Sequence, residues 1–82
     1  MKHKAILLVD DEQMILDAVS VELKQKYSTV TAVSSGDLAV SKLRDGNYNL
    51  VITDLMMEGM GGIKLLGEAK KIDPEILSVA KR

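Results

Sequence analysis

Cysteine is absent from all 82 residues, so the chain holds neither a disulfide framework nor a thiolate site. Tryptophan and phenylalanine are absent as well, and two tyrosines are the only aromatics, so the core must be aliphatic. With one proline and no internal repeat or low-complexity segment there is no candidate linker, and the chain is one domain at most. Charge imbalance is missing too. Eleven Lys and Arg against twelve Asp and Glu give a formal net charge of −1, without the basic patch or stripe of a nucleic-acid-binding domain. The apolar runs are only a few residues long and cannot span a membrane. The basic start Met1-Lys2-His3-Lys4 leads into a strand and acids instead of a signal-peptide pattern, and its lone His3 reads as solvated. Together these absences predict a soluble cytoplasmic protein with no nucleic acid and no membrane as partner. A domain this small buries roughly 60–65% of its unfolded surface and leans on partners or metals.

What is present centres on Ile6-Leu7-Leu8-Val9-Asp10-Asp11. The apolar run suits a strand covered on both faces. Two adjacent acids at its end need an explanation, because ionised carboxylates repel one another and lose hydration near an apolar core. A strand end facing water is one. A second run, Leu50-Val51-Ile52-Thr53-Asp54, supplies another. In an open parallel sheet, ligands collect outside the carboxyl ends of the strands where the strand order switches. If the two runs are parallel neighbours, Asp10, Asp11 and Asp54 meet at one sheet edge. Such a hard, oxygen-lined site suits Mg²⁺.

Along the chain, residues 5–9 form a first strand. A helix runs from Glu12 to about Lys26, with Ile15, Val19 and Leu23 four apart and Leu16 on the same face. Val30 to Val33, entered through Ser28-Thr29, is β-rich. In Ser34-Ser35-Gly36-Asp37, a Ser with an acid three residues later resembles a capping box, opening a helix from about Asp37 to Arg44 that stops at Asp45-Gly46-Asn47. Residues 49–53 form a third strand. A loop from Asp54 to Gly62 carries glycines at 59, 61 and 62. A third helix runs from Gly62 to about Ile72, with Ile63, Leu66, Ala69 and Ile72 three apart and Leu65 alongside, and Asp73-Pro74 ends it. Ile76, Leu77 and Val79 form a candidate fourth strand. Alternating β and α elements argue for a parallel sheet with helices on its faces and right-handed crossovers. The Met56-Met57 pair reads as packing and loop, and Lys64, Lys70 and Lys71 as a solvated helix face. The glycine loop lacks the Lys-Ser/Thr of a phosphate-binding P-loop.

Ile6-Leu7-Leu8-Val9-Asp10-Asp11-Glu12, Leu50-Val51-Ile52-Thr53-Asp54-Leu55-Met56-Met57 and Gly59-Met60-Gly61-Gly62 resemble the receiver domain of bacterial two-component response regulators, over residues 5 to about 74. The resemblance implies a flavodoxin-like (CheY-like) α/β/α fold with a parallel sheet in the order 2-1-3, followed by the candidate fourth strand. It implies that Asp54 accepts a phosphoryl group from a histidine kinase or phosphotransfer protein. It further implies that Asp10, Asp11, Asp54 and the Met56 backbone carbonyl hold Mg²⁺, Asp10 mainly through water. On this reading residues 1–82 are an incomplete receiver and a phosphoacceptor signalling domain, not an enzyme.

The sequence departs from the family in three places. Glu58 stands where a Pro is usual, and Gly61 where an Asp is usual. The fourth helix, fifth strand and fifth helix are missing, and with them a strand-end Ser or Thr and a Lys that contact the phosphoryl group. Ser78 comes too early to replace the hydroxyl, and Lys81 and Arg82 are nearby cations. The expectation is therefore a weak or short-lived phosphorylation that does not change oligomeric state through the usual route, an open sheet edge, and a wet sheet face with aliphatic side chains from Ala5 to Val9 and Leu50 to Ile52. Self-association as a homodimer or higher oligomer, with the C-terminal third at the interface or swapped, follows from that. A non-switching scaffold acting in self-association is the alternative function, and a Mg²⁺-dependent hydrolase is a third class.

Overall fold

The computed structural model describes residues 5–57 and 59–81, with Lys81 described in its backbone alone. The basic residues 1–4 with His3, the departure at Glu58, and Arg82 lie outside the described residues. In chain order the elements are β1 (Ala5–Val9), α1 (Gln13–Lys24), β2 (Thr29–Val33), α2 (Gly36–Asp45), β3 (Leu50–Asp54), α3 (Gly62–Ile72) and β4 (Leu77–Lys81). The strands form one parallel sheet in the order β2-β1-β3-β4.

The fourth strand is therefore a full member of the sheet, in register with β3 from Leu50↔Leu77 to Asp54↔Lys81. Its anchors precede it. Ile76 is buried in the core, and its carbonyl accepts from Lys70 Nζ at 2.5 Å. The Leu77 N–H donates to the Asn49 carbonyl at 3.1 Å. Lys70 thus ties the strand entry to α3 and does more than solvate its helix. Asn49 also accepts from the Ala5 N–H through Oδ1 at 2.8 Å, stitching three strands at one end of the sheet.

Strand parity divides the core. Leu7, Val9 and Val51 face α2 and α3, packing with Val33, Ala39, Val40, Leu43, Met57, Leu65, Ala69 and Ile76. Ile6 and Leu8 have the opposite parity, on the face that carries α1, and both are fully buried. The wet face expected from Ala5 to Val9 is thus corrected. The exposure lies further along the sheet, at Leu77 (58%) and Val79 (49%), beside half-buried Leu50 and Ile52.

Two helix stripes are rotated from their expected positions. Residues three apart drift about 60° per step at 3.6 residues per turn. Ile63 is therefore carried out of the stripe and is 76% exposed, while Leu65 and Ala69 are fully buried. In α1 the buried positions are Leu16 and Ser20, and Ile15 lies at the rim. The Ser20 hydroxyl donates to the Asp17 carbonyl at 3.1 Å, which lets it sit inside. The cap of α2 is one residue later than the expected Ser34–Asp37 box. Ser35 Oγ accepts from the Leu38 N–H at 3.2 Å.

Candidate functional site

Register brings the acids together. Val9 stands level with both Val33 and Thr53, so Asp10 leaves β1 where Asp54 ends β3. The chain crosses from β1 to β2 on one side and then to β3 on the other, and ligands bind in the crevice that such a reversal opens. Both strand ends close in the same way. Asp10 Oδ1 accepts from the Glu12 N–H at 2.9 Å, and Asp54 Oδ1 accepts from the Met56 N–H at 3.0 Å. An Asp that bonds the backbone two residues on fixes its own turn, which orients the carboxylate. The Asp10 N–H is held as well, by the Val33 carbonyl at 3.2 Å.

Burial separates the three carboxylates. Asp10 is fully buried, Asp54 half-buried and Asp11 exposed. One oxygen from each lies within 4.8 Å of the others. Asp54, Asp11, Glu12, Ser34, Ser35 and Met56 line an open cleft of about 690 Å³. An all-oxygen donor set fits Mg²⁺, which takes one or two carboxylates and keeps several waters, and the cleft leaves room for those waters. The Met56 side chain is 75% exposed, whereas Met57 is buried in the core.

The sequence reading missed Glu12, Ser34 and Ser35 as cleft residues. The signal was available, because the two serines directly follow a strand that ends at the same sheet edge as Asp10. Ser78 stands opposite Val51, three residues short of Asp54, and so does not reach the site level. The backbone of Lys81 is level with Asp54. Behind the site, Thr53 Oγ1 donates to the Asp54 carbonyl at 3.1 Å, and the Gly62 N–H donates to the Leu55 carbonyl at 3.3 Å.

A flavodoxin-like parallel sheet with a carboxylate crevice at its switch point defines the class. The comparisons with known proteins give the family. The response regulator receiver domain matches residues 6–80, and the chain belongs to that family. It is 36% identical over 78 residues to the transcriptional regulatory protein ResD of Bacillus subtilis, covering 93% of this chain and 32% of ResD. Among solved structures, the response regulator TrrA from Thermotoga maritima in complex with Mg²⁺-BeF superposes with a TM-score of 0.84 at 35% identity, over 95% of this chain and 66% of that one. The complex of histidine kinase ThkA with TrrA matches with a TM-score of 0.85 at 34% identity, over 98% of this chain and 67% of that one. The chain thus spans about a third of ResD and about two thirds of TrrA. The family is the receiver component of two-component signal transduction, and CheY-like architecture is common to its members.

Proposed function

We propose that this domain accepts a phosphoryl group on Asp54 from a histidine kinase or phosphotransfer protein, in the cytoplasm. The convergence of Asp10, Asp11 and Asp54 within 4.8 Å carries the reading. Asp10, Asp11, Asp54 and the Met56 carbonyl would hold Mg²⁺. When bound, that ion supplies positive charge that offsets repulsion between a carboxylate and an incoming phosphoryl group. A carboxylate oxygen of Asp54 attacks phosphorus. The bond from phosphorus to the donor breaks, and its electron pair leaves with the donor. The Met56 N–H bond to Asp54 Oδ1 fixes the orientation of the carboxylate that attacks. Asp10, buried and held through Oδ1 by the Glu12 N–H and through its own N–H by the Val33 carbonyl, would offer the metal a fixed carboxylate. The kinase reading is supported by the similarity of this chain to one chain of the solved complex between histidine kinase ThkA and response regulator TrrA. No helix among the described residues is long and apolar enough to cross a membrane. Incubation with acetyl phosphate and Mg²⁺, followed by intact-mass analysis, tests the reading: Asp54→Asn must lose the label.

A second reading rests on a separate observation. Among the described residues β4 pairs on one side only, and Leu77 and Val79 are exposed on the face shared with Leu50 and Ile52. An open edge presents unpaired N–H and C=O groups. A second copy joined edge to edge about a two-fold axis would continue the sheet and bring the two apolar strips together. Sedimentation at low micromolar concentration tests this association.

A further inference from the structure

Helix α3 begins against the acceptor strand at a distance only glycine allows. A Cβ on Gly62 would lie 2.5 Å from the Asp54 carbonyl oxygen, 2.8 Å from Leu55 Cα and 3.1 Å from the Asp54 carbonyl carbon. All three are backbone atoms, which cannot swing aside as a side-chain end can. The same residue donates its N–H to the Leu55 carbonyl at 3.3 Å. Helix start and strand end are thus clamped together across the loop that carries Met56.

We infer that Gly62 is a positioning residue: its missing side chain lets α3 fix the Asp54–Met56 backbone, and with it the acceptor carboxylate and the Met56 carbonyl. The inference rests on Asp54 being the acceptor. Displacing the Asp54 and Leu55 backbone would disturb the turn in which the Met56 N–H holds Asp54 Oδ1. Two other glycines separate this role from a general effect. Gly36, the first residue of α2, is also tight, but the three atoms nearest a Cβ there all belong to Met60: its Cβ at 2.8 Å, its Cγ at 3.0 Å and its carbonyl oxygen at 3.1 Å. Gly67, within α3, has nothing within 4 Å.

The test compares Gly62→Ala, Gly36→Ala and Gly67→Ala in the full chain. The first readout is metal-free: amide chemical shifts of Asp54, Leu55 and Met56, and hydrogen exchange at residue 62. The second is the Mg²⁺ concentration giving half-maximal labelling by acetyl phosphate. Gly62→Ala should move those amides, speed exchange at residue 62 and raise the Mg²⁺ requirement about tenfold or more, the usual cost of disturbing an outer-shell support. Excess Mg²⁺ should then restore labelling. Gly36→Ala and Gly67→Ala should keep the wild-type requirement. A Gly62→Ala chain with wild-type shifts and requirement overturns the inference. If that variant melts too early, the series is repeated in sucrose, which favours the compact state. Failure to fold there also counts against positioning and assigns Gly62 to the core. Absence of labelling in the wild-type chain would instead sink the acceptor reading, while the metal-free shifts still decide on Gly62.

Discussion

Asp10, Asp11 and Asp54 are chemically alike but differ in what the fold has done to them. Asp10 is fully buried and bonded to the Glu12 N–H, Asp54 is half-buried and bonded to the Met56 N–H, and Asp11 is exposed. Asp11 is therefore the member whose change tests the metal with least damage to the fold. A ligand that binds only the folded state stabilises it by about 2.7 kcal/mol at a hundredfold excess over its Kd. Saturating Mg²⁺ should raise the melting midpoint of the wild-type chain and leave Asp11→Asn nearly unmoved. Equal shifts in both would remove Asp11 from the metal site. Other single positions have simpler outcomes. Ser35→Ala removes the side-chain cap of α2 and should cost about 1 kcal/mol in denaturant unfolding. Gly67 is helical, exposed and unobstructed, so Gly67→Ala should stabilise by about 0.5–1 kcal/mol.

At the scale of elements, α3 tests the correction to its buried stripe. Leu65 is fully buried and Ile63 is 76% exposed. Leu65→Ala should cost about 2–5 kcal/mol. Ile63→Ala should fall within about 0.5 kcal/mol of wild type. Similar losses at both would restore the stripe expected from three-residue spacing. β1 and β3 were the most legible elements, because apolar runs ending in acids leave few alternatives. The acidic crevice was legible for the same reason: two runs that pair in parallel bring their terminal acids to one edge. Helix faces were less legible. A stripe read at every third or fourth residue drifts around the cylinder, so Ile15 and Ile63 were placed inward and lie at the rim or outside. β4 was the least legible element. Its own residues mix Ser78 with exposed Leu77 and Val79, and what holds its start lies elsewhere, in Lys70, Asn49 and the buried Ile76.

At the scale of the whole sheet, the strand order puts the two acid-bearing strands side by side at the centre and, among the described residues, leaves β2 and β4 as the outer strands. Helix α1 covers Ile6 and Leu8, but the strip of Leu77 and Val79 beside Leu50 and Ile52 remains partly wet. Fully burying an aliphatic side chain is worth about 1.5–3 kcal/mol, which is the driving force that the second-copy reading draws on. Val79→Lys should shift the sedimenting species toward monomer, and a wild-type chain that is already a compact, cooperatively melting monomer would contradict the second-copy reading. The central claim concerns Asp54, and intact mass tests it most directly. With acetyl phosphate and Mg²⁺, the wild-type chain should gain one phosphoryl group, and Asp54→Asn should gain none while retaining the wild-type far-ultraviolet circular dichroism. Label that persists in Asp54→Asn, or a folded wild-type chain that never takes one, would contradict the account.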